Sequence, residues 1–234
     1  MSYQWAVATH KGRLRAINQD AVYPETAGSG EGPLVVVVAD GMGGHAAGEV
    51  ASGIAVNETV KSDTDIEGRV VMANLAILNE ATRRPELAGM GTTVTLAELN
   101  PGRVATFGHV GDSRAYLLRG GTLRQLTEDH TLVNEYLLAG RIAPEDIATH
   151  PQRSMLTRAV GLSPDVEVDV FEERLQPGDR ILICSDGVSS MIDDSSIHEA
   201  LRATTAEEAV WELVERANTA GGHDNVTALV VDVK

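Results

Sequence analysis

The sequence predicts an α+β protein in which two helical layers cover two sheets. Three observations carry that prediction. Apolar runs rich in β-branched residues, too short for buried helices, recur at Leu34–Ala39, Arg103–Val110 and Arg180–Cys184. Helical spacing is concentrated in two places along the chain, residues 48–84 and 206–220. The strands come in blocks set apart from the helices, whereas a doubly wound parallel sheet would alternate strand and helix one for one.

Taken in order, the first strand is expected at Trp5–Thr9. Ala27–Pro33 carries three glycines and a proline in seven residues and reads as a hairpin-like loop. Leu34–Ala39 is apolar at every position, as a strand buried on both faces must be. A helix is expected over Gly48–Lys61 and a second over Glu67–Arg84, where Val71, Leu75 and Leu78 share one face. Thr92–Leu99 and Arg103–Val110 are the next strands, followed by an irregular insert from about 130 to 158. Beyond it, Val166, Val168 and Val170 alternate with Glu167, Asp169 and Phe171, and Arg180–Cys184 is a second fully apolar strand. Val210, Leu213, Val214 and Ala217 mark a helix over Ala206–Ala220, and Val226–Val231 closes the chain as a strand. There is no repeat, low-complexity tract or interdomain linker, so the 234 residues are expected to form one domain.

Composition narrows the function. The chain has 19 Lys and Arg against 34 Asp and Glu, a formal net charge of −15. Nonspecific nucleic-acid binding draws its energy from basic residues on phosphates, and aromatics at 3% leave few stacking platforms, so no nucleic-acid partner is expected. Hydrophobic residues at 43% are ordinary for a globular core, which must be built from Val, Leu, Ile and Ala. Cys184 is the single cysteine and cannot form an internal disulfide. The residues Met1–Trp5 lack the basic region and apolar stretch of a leader, and the longest unbroken aliphatic run, Leu34–Ala39, is far shorter than the ~20 residues that span a bilayer. A cytoplasmic location with no membrane association is the expectation.

The informative feature is where the acids stand. Asp40-Gly41 follows Val35–Ala39 directly, and Asp186-Gly187 follows Ile181–Ser185. Any one Asp-Gly pair is most simply a turn. Two pairs placed directly after buried strands are a different matter, because a rigid element then holds each carboxylate and glycine lets the backbone approach a ligand. Asp112 lies after the Arg103–Val110 strand, and Asp224-Asn225 lies just before Val226. If those strand ends converge, the like charges raise one another's pKa and call for a cation among them, and carboxylates with carbonyls and waters suit Mg²⁺ or Mn²⁺. Arg15, five residues before Asp20, supplies a guanidinium suited to forking onto phosphate.

Arg15 with Asn18-Gln19-Asp20, Asp40-Gly41-Met42-Gly43-Gly44-His45, Gly91-Thr92-Thr93, Gly111-Asp112-Ser113-Arg114, Ser185-Asp186-Gly187 and Gly222-His223-Asp224-Asn225-Val226-Thr227 closely resemble the metal-dependent serine/threonine protein phosphatases of the PPM family, also called type 2C. The motifs run in the family's order from residue 12 to residue 227, and the Gly-Met-Gly-Gly-His form looks like the bacterial branch.

The resemblance implies a four-layer α/β/β/α sandwich, two antiparallel sheets flanked by antiparallel helices, agreeing with the layered order read from the pattern. It implies a metal-dependent protein phosphatase acting on phosphoserine and phosphothreonine proteins, serine/threonine kinases among them, in cytoplasmic signalling and as a monomer. By resemblance Asp40 bridges two Mn²⁺ or Mg²⁺ ions, the Gly41 carbonyl ligates the first, and Asp186 and Asp224 complete the second. Asp20 matches the acid that reaches the metals directly or through water, and Asp112 with Asp186 matches a third, weaker site. Arg15 matches the phosphate-binding arginine. His45 stands near the position of a general acid, though it could equally hold a metal-bound water or close a Gly-rich turn.

In the implied mechanism two ions about 3.5–4 Å apart make hydroxide available near neutral pH, and it attacks phosphorus directly. Gln19 stands where many members have Glu, which puts ligation through that segment on Asp20, and Ser190 replaces an acid found in eukaryotic relatives, which leaves the third ion weakly held. Residues of about 130–158 match the family's flap, where Arg141 and Glu145 are expected to influence docking. Cys184 reads as a small buried hydrophobe and His223 as structural. Hydrolysis of a nucleotide or small phosphoester, and a catalytically silent binding module on the same fold, are the competing readings.

Overall fold

The computed structural model describes residues 2–43 and 47–234. Twelve strands among the described residues form two six-stranded sheets in which every paired neighbour is antiparallel. The strands are β1 (Ser2–His10), β2 (Asp20–Tyr23), β3 (Gly28–Glu31), β4 (Leu34–Met42), β5 (Gly91–Thr92), β6 (Val94–Leu99), β7 (Val104–Val110), β8 (Arg114–Arg119), β9 (Thr122–Gln125), β10 (Asp169–Arg174), β11 (Arg180–Cys184) and β12 (Val226–Val233). One sheet has the order β3-β1-β12-β11-β8-β9, and the other β10-β7-β6-β4-β2 with β5 added on β4.

Helices α1 (Ala47–Lys61) and α2 (Ile66–Arg83) pack together on the second sheet. Short α3 (Leu132–Leu138) lies in the insert and single-turn α4 (Asp186–Ser189) follows β11, while α5 (Asp194–Leu201) and α6 (Ala206–Thr219) cover the first sheet. The two-residue period of the strands builds the layers. In β11, Ile181 and Ile183 point between the sheets to meet Val36, Val38 and Phe107, while Leu182 and Cys184 point out to Val210, Leu213 and Ala217 of α6. In β4, Val36 and Val38 face inward, and Val37 and Ala39 lie under Ala51, Ala55 and Val70. Three apolar layers therefore stack in one sandwich, with each fully buried Val, Leu or Ile contributing about 1.5–3 kcal/mol of transfer energy. α6 is fixed at its start by a capping box between Thr205 and Glu208.

Several expectations need correction. Gly28–Glu31 is edge strand β3 on β1, not a hairpin-like loop, and the glycines let the backbone run beneath the Trp5 ring. Thr92–Leu99 divides at Thr93, whose N–H donates to the Asp40 carbonyl and whose hydroxyl accepts from the Asp40 N–H, so this residue serves β4 between two ladders. On α2 the buried stripe is Ile66, Val70, Ala73, Asn74 and Ile77, while Leu75 is 43% exposed. The stripe is turned because Asn74 reaches Gly161 N, Ser163 O and Pro164 O and pins the chain leaving the insert. The strand expected from Val166 starts at Asp169. Strands β2, β8 and β9 have no clear apolar period, being short and flanked by polar residues. Among the described residues no helix is long and apolar enough to cross a membrane.

Candidate active site

The strand ends named by the sequence do converge. Asp20 opens β2 directly opposite Asp40 near the end of β4, so two like charges face each other across an antiparallel pair. From the other sheet come Asp186, directly after β11, and Asp224, just before β12. Asp112 lies in the turn from β7 to β8 and interacts electrostatically with Asp186.

Asp20 is held from one side only. Its Oδ2 accepts from Thr227 Oγ1 at 2.6 Å and from Ser185 Oγ at 2.8 Å, while its Oδ1 is buried with no hydrogen-bond partner. Asp186 Oδ1 is likewise buried without a partner. Burial is the main force raising these groups. It pushes Asp20 up to about 7, against the pull of the Thr227 and Ser185 hydroxyls and with the push of Asp186 and Asp224. Asp40 is held well above the usual carboxylate range by burial, then by Asp20, Asp186, Asp112 and Asp224. Asp112 rises to about 8 through burial, Asp186 and Asp129. Asp186 is raised by burial and Asp224, with a hydrogen bond from Asp40 and the charge of Arg15 opposing the rise.

Arg15 stands at the rim, 52% exposed, with its guanidinium on Asp224 Oδ2 at 2.6 Å and within the field of Asp40 and Asp186. Gly41 is crowded: an added Cβ would collide with the Gly48 carbonyl, and its N–H donates to Gln19 O at 3.1 Å. His45 lies outside the described residues. Cys184 is completely buried and burial pushes its thiol up to about 12, so it offers no thiolate.

These residues fit a divalent cation by their chemistry. Buried carboxylates that repel one another, two with an oxygen lacking any donor, are costly without positive charge, and an all-oxygen donor set suits a hard ion. The cage is not preformed: among the described residues no three acidic, His or Cys side chains stand in ligating geometry.

Several residues quoted with the motifs position the site in ways the sequence reading gave no role. Asn225, 3% exposed, accepts from Gln19 N–H at 2.8 Å and donates to Lys11 O at 3.0 Å and Ile17 O at 2.9 Å, so it ties the Arg15 loop to the start of β12. Thr92 and Thr93 hold the backbone of Asp40, and Thr93 Oγ1 meets Ser113 Oγ beside Asp112 at 2.8 Å. The signal available was polar side chains in or beside apolar strands, Ser185 and Thr227 above all. A cavity of about 520 Å³ runs from Asp112 and Asp186 to Val133, Leu137, Ile147 and Arg153 of the insert. Arg141 and Glu145 are not among its lining, and the Arg141 guanidinium lies over the Tyr136 ring at 5.7 Å.

The Protein phosphatase 2C family profile matches residues 9–221. The chain belongs to that family. Among curated relatives, the serine/threonine protein phosphatase PstP of Mycobacterium tuberculosis is 41% identical over 239 residues, covering 98% of this chain and 45% of PstP. The chain thus spans about half the length of that relative. The serine/threonine phosphatase Stp of Listeria monocytogenes is 39% identical over 96% of this chain and 93% of its own length. A crystal structure of the PstP catalytic domain in complex with two manganese ions superposes with a TM-score of 0.89 at 36% identity, covering 100% of this chain and 99% of that one. The type 2C sandwich therefore accounts for both sheets, both helical layers and the meeting of their strand ends.

Proposed function

We propose that this chain hydrolyses phosphoserine and phosphothreonine in proteins with the help of bound Mn²⁺ or Mg²⁺. The observation that carries the reading is the group of buried carboxylates from both sheets, with Asp20 Oδ1 and Asp186 Oδ1 lacking partners and Arg15 at the rim. Membership of the type 2C family and the manganese complex of PstP support it.

In this reading Asp40, the Gly41 carbonyl, Asp186 and Asp224 hold two ions, Asp20 supports them directly or through water, and Asp112 with Asp186 takes a weaker third. When bound, such ions lower the pKa of water and offset charge on the phosphoryl group, which direct attack by water requires. The chain's own residues do the rest. Ser185 and Thr227 fix one oxygen of Asp20 and leave the other buried without a donor. Arg15 exchanges Asp224 for the phosphoryl oxygens, because a guanidinium binds phosphate by paired hydrogen bonds. Cys184 is too buried to form a phosphocysteine, in keeping with water as the nucleophile in this reading. His45 is the side chain proposed to protonate the departing serine or threonine oxygen.

We assign residues 1–234 to one catalytic domain whose segment of about 130–158 serves as a flap for docking phosphoproteins. Phosphorylated kinases in the cytoplasm are the partners the reading favours, with the chain acting as a monomer. The test is phosphate release from a phosphothreonine peptide in EDTA, Mg²⁺ or Mn²⁺, with Asp40→Ala and Asp186→Ala alongside. Activity that needs added metal and disappears in both variants is expected. Metal-independent release, or peptide binding without release at saturating Mn²⁺, would overturn the reading.

A further inference from the structure

We infer that His130 is a positioning residue for Asp112: its ring and backbone hold the Gly111–Asp112 turn so that the Asp112 carboxyl is presented towards Asp186 for a divalent cation. The inference rests on the proposed function above and adds a residue to it.

The placement of Asp112 is a backbone matter. Among the described residues no side chain donates a hydrogen bond to its carboxyl, and its own backbone N–H is the first group to oppose the rise in its pKa. The preceding Gly111 has φ +113°, a conformation open to glycine, and a Cβ there would come within 2.6 Å of the Thr93 side chain. His130 closes this turn twice. Its N–H donates to Gly111 O at 2.8 Å, and its Nδ1 accepts from Gly111 N–H at 3.1 Å.

That second bond fixes the tautomer. With Nδ1 accepting, the ring proton of neutral His130 is on Nε2, where it donates to Asp169 Oδ2 at 3.1 Å. Asp169 is itself held by Arg158 at 2.8 Å, and Arg158 also pairs with Glu167 at 3.1 Å. The ring is 7% exposed and lies 4.8 Å from the His109 ring, whose Nε2 meets Glu128 O at 3.0 Å. Arg158 Nη1 also stands 3.3 Å from Nε2, but with Nδ1 accepting from Gly111 that nitrogen carries the proton and pairs with Asp169, so both ends of the His130 ring are specified. The insert's own closure needs only backbone at this position, since Thr157 N–H donates to His130 O at 2.9 Å. Nδ1 is thus spent on the Asp112 turn while Nε2 anchors the ring to Asp169, and outer partners that orient a ligand typically matter to metal affinity by about 10–100-fold.

The experiment is an Mn²⁺ titration by calorimetry on the full chain and its His130→Ala, His130→Asn and His130→Gln variants, with the Gly111 amide followed by NMR. Asn places an oxygen near Nδ1 and keeps the Gly111 acceptor, whereas Gln reaches the Nε2 position and loses it. His130→Ala and His130→Gln are expected to weaken the weakest class of Mn²⁺ site by about tenfold, leave the tighter class within about threefold, and move the Gly111 amide. His130→Asn should restore most of the lost affinity, and turnover of the Ala variant should recover at saturating Mn²⁺ with peptide KM unchanged. An Ala variant that binds Mn²⁺ as the parent does overturns the inference, as does an equal weakening of every class in Ala and Asn in step with their melting temperatures. A parent that binds no Mn²⁺ overturns the proposed function and this inference together, so the two failures are told apart.

Discussion

Replacing Asn225 by Ala tests whether one buried amide holds the two halves of the site in place. Asn225 spans from β12 to the loop carrying Arg15 through three hydrogen bonds, to Gln19 N–H, Lys11 O and Ile17 O, at 2.8 to 3.0 Å. A net hydrogen bond is worth about 0.5–1.5 kcal/mol, and a buried group left unpaired costs about 1–3. All three bonds are part-buried, but Lys11 and Ile17 are exposed residues whose carbonyls water can reach once the amide is gone. The expected loss is therefore about 2–4 kcal/mol rather than the sum of three full penalties. Arg15 depends on that loop for its 2.6 Å contact with Asp224. Activity should consequently fall beyond what the loss of folded protein explains, by about 100-fold if the phosphoryl group is misplaced by an ångström. Asn225→Asp keeps the bond to Gln19 but turns an acceptor on two carbonyls and adds charge next to Asp224, so it should be no milder. Urea unfolding at matched Mn²⁺, with phosphothreonine peptide turnover measured below the transition, decides the matter. A loss under about 1 kcal/mol, or full turnover in the variant, would refute the assignment of Asn225 as the tie.

Removing metal should expose the repulsion in the carboxylate cluster. Asp20 is raised to about 7 and Asp112 to about 8, each chiefly by burial, so the folded chain keeps protons that the unfolded chain has released above 3.8. That contribution is whole only below about 3.8, is lost progressively as pH rises to 7 and 8, and levels off above, so in EDTA the melting temperature should still be falling between pH 6.5 and 8, and Mn²⁺ should restore it most at the upper end. A metal-free melting temperature that is level or rises over that window contradicts the buried cluster. His109 works at the other end. Burial and then His130 lower it to about 4, so stability is lost as pH falls from about 6.5 towards 4, at most about 3 kcal/mol. His109→Gln should flatten that part of the pH–stability curve, and an unchanged slope would show that the ring titrates freely. Gly187→Ala would drive a Cβ into the Asn225 carbonyl, with backbone on both sides, and should cost about 3 kcal/mol or prevent folding; wild-type thermal stability in this variant would show that α4 can move away from β12.

The sequence by itself determined the layers. Consecutive apolar residues in β4 and β11 require burial on both faces, and the spacing on α6 puts Val210, Leu213, Val214 and Ala217 on one side, as the structure has them. It also marked Asp40, Asp112, Asp186 and Asp224 by their places at strand ends, a local pattern, while Asp20 entered through the family resemblance. What tertiary structure alone decided is how those acids meet and what holds them. Asp20 faces Asp40 through strand register, and Ser185 and Thr227 hold Asp20 across 165 and 207 positions of chain. Asn225 reaches back 206 positions to Gln19. The same holds for the α2 face, where Asn74 is buried for partners at Gly161 and Ser163 that no helical period announces. Hydrophobic burial leaves a period in the sequence because it acts on whole faces. A side-chain hydrogen bond to distant backbone acts at one point and leaves none, so it becomes visible only when the fold has brought its two ends together.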